Sequence, residues 1–104
     1  MKLLPALKQK KRYIVFEVNQ KFSKSDLQEA VNKAFLRFLG EFGIAKASPM
    51  FIKANNKRFI VKVNHTETNE AKAALILIKT IKKQPTIIKS IITSGTLKKA
   101  QSYL

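Results

Sequence analysis

From Arg12 to Asn19 the chain reads RYIVFEVN, which in extended backbone places Ile14, Phe16 and Val18 on one side and Tyr13, Val15 and Glu17 on the other. Both sides are apolar enough to want cover, so the pattern predicts a central strand. Ser23 then opens SKSD, a cap with an acid three residues on, and Leu27, Ala30, Val31, Ala34, Phe35, Phe38, Leu39 and Phe42 recur at helical spacing. An amphipathic helix ending near Gly40 is expected. SPMFIKA and RFIVKVN are two further strand-like runs, and Asn55-Asn56-Lys57 between them suits a tight hairpin because asparagine tolerates positive φ. Thr66 or Thr68 is placed to cap a second helix with Ala71, Ala74, Leu77, Ile78 and Ile81 as its buried stripe. Gln84-Pro85 breaks that pattern before a last strand, TIIKSIIT, and the chain closes on SGTLKKAQSYL, where Thr96 can cap a short terminal helix.

The order strand, helix, strand, strand, helix, strand predicts an α+β, ferredoxin-like (RRM-like) βαββαβ sandwich. Its four-stranded antiparallel sheet carries two helices on one face, and a short C-terminal helix is added. The other face then decides what binds. Arg58, Ile60 and Lys62 share that face, with Lys53 across the hairpin. If Val15, Ile60 and Ile87 or Ile88 point outward, it mixes apolar and basic groups and suits RNA or a protein; an extra segment covering it fits the pattern equally. RNA-recognition-motif proteins stack bases on aromatics of a glycine-containing octapeptide in the third strand. Here that strand reads KRFIVKVN, with Phe59 its one aromatic, leaving Tyr13 and Phe51 as stacking candidates.

A length of 104 residues is one domain's worth, divided here into a basic leader over residues 1–10, expected to be flexible, and a single domain over 11–104. Lysine and arginine outnumber acids 21 to 6, a formal charge of +15, and the default partner of such a chain is a polyanion. The charge gathers at the ends. Every acid lies at or before Glu70, while Lys72, Lys79, Lys82, Lys83, Lys89, Lys98 and Lys99 follow, and the first dozen residues carry Lys2, Lys8, Lys10, Lys11 and Arg12. Solvated lysines that serve only solubility are the bland alternative. The absence of cysteine fits a reducing compartment, and the apolar runs are too short for a signal peptide or membrane span, so a cytoplasmic protein is expected.

Candidate chemistry is sparse. His65 is the lone histidine, with no second ligand for a metal and no partnered Ser or Asp, and the acids form no carboxylate pair. Asp26, Glu29, Glu67 and Glu70 sit where helix caps and first turns favour acids. The fold also hosts acylphosphatase-type enzymes, but their glycine-bounded phosphate loop has no counterpart in VNQKFSKS. No active site of its own is expected. GEFG, from Gly40 to Gly43, reads as a helix C-cap and turn or as a place where the glycines let the backbone approach another molecule closely. Arg37, outside the helical stripe, is a candidate forked contact to phosphate or carboxylate, or simply a solvated surface arginine. In SGTLKK, Gly95 suggests a turn reserved for glycine, and Thr96, Lys98 and Lys99 a phosphate-facing corner.

Taken together, KKRYIVFEV at 10–18, AFLRFLGEFGIAKASPMFIK at 34–53 and IITSGTLKKA at 91–100 resemble the archaeal and eukaryotic ribonuclease P protein component 2 family over essentially the whole chain. The most specific pieces are LRFLGEFG followed by AKASP, and the terminal SGTLKK. The resemblance implies a subunit of the ribonucleoprotein that removes the 5′ leader of precursor tRNA. In that assembly the RNA is the catalyst and holds the magnesium ions, and the protein binds no cofactor. It also implies pairing with ribonuclease P protein component 3, and a homodimer within a heterotetramer. Carried onto this chain, the RNA-binding candidates are Lys10, Lys11, Arg12, Tyr13, Arg37, Gly40, Glu41, Gly43, Lys46, Ser94, Gly95, Thr96, Lys98 and Lys99. The competing readings are a basic ferredoxin-like scaffold that binds proteins, and a general RNA-binding module outside tRNA processing.

Overall fold

The computed structural model describes residues 10–55 and 57–104. The leader expected over residues 1–10, apart from Lys10, and the hairpin residue Asn56 lie outside the described residues. In chain order the elements are β1 (Lys11–Val18), α1 (Lys24–Ala47), β2 (Met50–Asn55), β3 (Arg58–Asn64), α2 (Thr68–Ile76), β4 (Thr80–Ile81), β5 (Gln84–Pro85), β6 (Ile88–Ser94) and α3 (Leu97–Gln101). The main sheet has the order β2-β3-β1-β6, and β1 pairs antiparallel with both β3 and β6. This is the expected ferredoxin-like arrangement.

Alternation in β1 and β3 builds the main core. Ile14, Phe16, Val18, Phe59, Val61 and Val63 face α1 through Leu27, Val31 and Phe35, and α2 through Ala71, Ala74 and Leu75. The Phe59 ring lies between Phe16, at 5.3 Å, and Phe51, at 5.5 Å. Burial of one such ring contributes on the order of 1.5–3 kcal/mol. Phe51 is therefore a core residue and not a platform for a base.

The second face is closed. Val15, Ile60 and Ala100 form a smaller core beneath α3, joined by Tyr13, Ile52, Ile92, Leu97 and Leu104. Arg58 Nη1 donates to the Tyr103 carbonyl at 2.6 Å, fastening the end of this segment to β3. Ile88 turns into the main core instead, and Ile87 is exposed.

Five local expectations are corrected. Ser23 Oγ accepts from the Asp26 amide at 3.2 Å as the start of α1 requires, but α1 does not stop at Gly40. It kinks there, with Gly40 at φ 69 and ψ 176, and continues to Ala47. The kink turns Phe42 out of phase with the core stripe, leaving it 84% exposed, while Phe38, before the kink, stands at the edge of the stripe and is 40% exposed. Neither Thr66 nor Thr68 caps α2, which is entered from a 3-10 turn over His65–Glu67. That helix ends at Ile76, leaving Leu77 exposed, while Ile81 reaches the core from a small β4–β5 ribbon. The ribbon turns through Lys82 and Lys83, both at positive φ (52 and 67) as a two-residue hairpin loop demands. Glu29, beyond the first turn of α1, lies 3.0 Å from Lys33 and 3.2 Å from Lys82. Among the described residues no helix is long and apolar enough to cross a membrane.

Candidate nucleic-acid interface

Antiparallel pairing brings the start of β1 together with the ends of β3 and β6. Lys11 faces Asn64, and Tyr13 faces Ser94. The last turn of α1 arrives at the same edge, because Asn64 Nδ2 donates to the Lys46 carbonyl at 2.6 Å. Residues far apart in the chain thus share one end of the sheet.

Hydrogen bonds hold this end in shape. The Lys11 ammonium donates to Asn64 Oδ1, and Arg12 Nη1 to the Lys11 carbonyl at 3.0 Å. The His65 amide donates to the Lys10 carbonyl at 2.8 Å. Tyr13 packs on the second core and is only part-exposed. Lys46 Nζ lies 3.8 Å from Glu67, an ion pair between an exposed ammonium and a mostly covered carboxylate. The edge therefore gathers Lys10, Lys11, Arg12 and Lys46 with Glu67 as the acid paired among them.

The corner after β6 is built from hydroxyls. The buried Ser94 Oγ accepts from the Thr96 amide at 3.1 Å and donates to the Thr96 carbonyl at 2.9 Å, closing a tight local turn. Thr96 Oγ1 accepts from the Lys99 amide at 3.3 Å and caps α3, as expected. Gly95 corrects its expectation, since it is not among the positive-φ residues. A Cβ built there would stand 3.7 Å from Arg12 Nη1, an ordinary contact, so what Gly95 does is sit beside that guanidinium. Lys98 and Lys99 are exposed, and the buried Ala100 on the other side of α3 orients them outward.

Four of the candidates stand elsewhere. No side-chain hydrogen bond or ion pair among the described residues joins Arg37, Gly40, Glu41 or Gly43 to the strand ends. Gly40 and Gly43 shape the kink of α1, where a Cβ on Gly43 would come within 2.8 Å of Leu39 Cβ. Arg37 lies over the Phe38 ring at 5.3 Å and lines a groove of about 560 Å³ between α1 and residues 77–82. Asn64 belongs to the strand-end group without having stood out, because a polar residue closing a strand carries no signal of its own; His65, noted as the lone histidine, borders the group through its bond to Lys10.

Titration is perturbed outside this edge. The Glu17 carboxyl is held below its ordinary value, chiefly by the hydrogen bond from Arg58 at 3.1 Å and further by Lys89. Glu29 is lowered by hydrogen bonds from Lys33 and Lys82, and Lys82 is raised in turn by Glu29. Among the described residues no group of three or more histidines, cysteines or acids could hold a metal ion.

Comparison with known proteins identifies the family. The Rpp14/Pop5 family matches residues 12–104. Ribonuclease P protein component 2 of Pyrococcus furiosus is 38% identical over 101 residues, spanning 93% of this chain and 84% of the relative. The proteins of the same name from Methanocaldococcus jannaschii and Thermococcus kodakarensis are 32% and 37% identical, over 95% and 93% of this chain and 75% and 84% of theirs. A chain of yeast ribonuclease MRP superposes with a TM-score of 0.70 at 15% identity, covering 86% of this chain and 77% of that one, a likeness of fold. With a family match over nearly its whole length and three relatives of one name at 32–38% identity, this chain belongs to the Rpp14/Pop5 family, that of ribonuclease P protein component 2.

Proposed function

We propose that this chain is a protein subunit of ribonuclease P, the ribonucleoprotein that removes the 5′ leader of precursor tRNA. The observation that carries the reading, beyond family membership, is the cationic strand end, where Lys10, Lys11, Arg12 and Lys46 meet the corner leading to Lys98 and Lys99. These cations and Tyr13 contact the ribonuclease P RNA, and the Ser94-Gly95-Thr96 turn lets a phosphate approach the edge. Gly40 and Gly43 serve the same RNA indirectly, by setting the direction in which the last turns of α1 present Lys46.

The mechanism is electrostatic. Each lysine or arginine on a phosphate releases condensed counterions and relieves repulsion between strands, so the RNA compacts around the magnesium ions that perform the cleavage. The protein holds none of the reacting groups. It pairs with ribonuclease P protein component 3, as a homodimer within a heterotetramer, and acts in the cytoplasm.

The test is reconstitution. Ribonuclease P RNA at modest magnesium, supplied with this chain and component 3, is expected to cleave precursor tRNA much faster than the RNA alone, with an RNA affinity that falls steeply with salt. No gain in cleavage, together with a salt-insensitive affinity, would overturn the reading in favour of a protein-binding scaffold. Cleavage by an RNA-free preparation would reveal a protein active site.

A further inference from the structure

The groove between α1 and residues 77–82 lies apart from the strand end. Arg37 stands before the kink at Gly40 and Lys46 in the last turn beyond it. Its floor is apolar, with Ala34 and Ile81 buried and Ile78 part-buried, and Phe38 and Leu77 stand on its walls 40% and 49% exposed. Both of these side chains are large and apolar, and both line a concavity with room for several side chains.

The charges of the groove do not cancel. Lys82 sits 3.2 Å from Glu29 and 3.7 Å from Asp26, and Lys33 sits 3.0 Å from Glu29, so the two acids of the groove are already engaged. Arg37 and Lys79 also line it, and among the described residues neither has a carboxylate within ion-pair distance. An apolar floor bordered by uncompensated cations matches one kind of occupant.

We infer that this groove docks an acidic amphipathic segment of a protein partner, with apolar side chains seated between Phe38 and Leu77 and carboxylates reaching Arg37 and Lys79. An RNA duplex presents sugar and phosphate, and has no apolar ridge to fill the floor. A second copy offers this groove no acidic segment, since Glu17, Asp26, Glu29 and Glu67 are already ion-paired within the fold. An acidic helix whose anchors recur at i, i+3 or i+4 and i+7 satisfies both the floor and the rim. The inference takes its probe from the proposed pairing with component 3, and in that respect rests on it.

The full-length chain is titrated with purified ribonuclease P protein component 3 by calorimetry. Wild type is compared with Phe38→Ser/Leu77→Ser and with Arg37→Glu/Lys79→Glu, all side chains on the surface, with thermal melts as a check of folding. Each pair is expected to weaken binding at least tenfold. The Phe38/Leu77 pair should leave affinity for ribonuclease P RNA within about twofold. In the wild-type complex, amide exchange of residues 30–38 and 77–82 should slow, a readout that needs no variant. Unchanged binding to component 3 with no such protection overturns the inference while leaving the subunit reading intact. So does a loss of RNA affinity in the Phe38/Leu77 pair with component 3 binding retained, or an effect confined to self-association of the isolated chain. Failure of the wild-type chain to bind component 3 overturns the proposed pairing and this inference together.

Discussion

Asn64 Nδ2 donates to the carbonyl oxygen of Lys46 at 2.6 Å, tying the last turn of α1 to the end of a central strand. Its Oδ1 meanwhile accepts from the Lys11 ammonium on the neighbouring strand. The side chain is 94% buried, given its relative exposure of 6%, so both partners lose a bond they cannot recover within the protein if it is removed. Asn64→Ala is expected to destabilise the fold by about 1–3 kcal/mol in urea denaturation. Asn64→Asp keeps the acceptor for Lys11 and loses the donor to Lys46, so its melt should differ from that of Asn64→Ala. Equal and negligible losses would mean that the clamp contributes nothing.

The kink of α1 depends on two glycines for different reasons. Gly40, at φ 69 and ψ 176, occupies backbone space that is essentially closed to other residues, although a Cβ there would meet nothing within 4 Å. Gly43 has no such dihedral, but a Cβ on it would strike Leu39 Cβ at 2.8 Å, and that atom is the root of a side chain and cannot swing away. Gly40→Ala should cost about 1–3 kcal/mol through strain, and Gly43→Ala about 1–3 kcal/mol through overpacking. A crystal structure of Gly43→Ala is expected to show the two halves of α1 splayed at Leu39. Wild-type stability in both variants would refute the distinction.

Glu17 predicts how acid acts on the fold. Its carboxyl is held below the ordinary value of 4.5, first by the hydrogen bond from Arg58 and then by Lys89. A depressed carboxylate favours the folded state at pH above its unfolded value, and that contribution is lost as pH falls through the folded value. Stability should therefore drop below about pH 4.5, and Glu17→Gln should flatten that part of the profile. Because Arg58 also holds the Tyr103 carbonyl, amides of residues 97–104 should exchange faster in the variant. A pH profile identical to wild type would remove Glu17 from the account.

Lys98 and Lys99 separate phosphate contact from mere solubility. Changing both to Ala removes two exposed cations and leaves the Ala100 packing beneath α3 untouched. If each neutralises one phosphate, the slope of log affinity against log salt should fall by up to about two units. An unchanged slope would return both to the solvated surface.

Alternation in β1 and β3 and the capped start of α1 were readable because one rule governed each: period two where a sheet buries both faces, and a serine hydroxyl with an acid behind it. The end of α2 was not. Ile78 and Ile81 satisfy a helical stripe, yet Ile81 reaches the same core from a strand, and Lys82 and Lys83 take positive φ without the asparagine or glycine that usually announces it. Phe42 misled for a geometric reason, since a periodicity counted through Gly40 assumes an unbroken axis. The strand-end group was legible as residue types but not as a place. Lys11, Lys46, Asn64 and Ser94 meet only through strand pairing and one buried amide, and no local pattern encodes either. The groove was invisible for the same reason, because one wall is a segment that had been counted as helix.

Burial on both faces of the sheet has a consequence for which changes of length the chain can accept. Ile14, Phe16 and Val18 belong to one core while Val15 belongs to the other, so β1 has no indifferent side. A single residue inserted or deleted within Lys11–Val18 would exchange the two sets beyond the change, sending Glu17 under the helices and Phe16 under α3. The pairing with β6 already absorbs one irregularity between Val15 and Phe16. Length variation among such chains should accordingly collect in the connections and at the outer strand β2, while β1 keeps its count even where its residues differ.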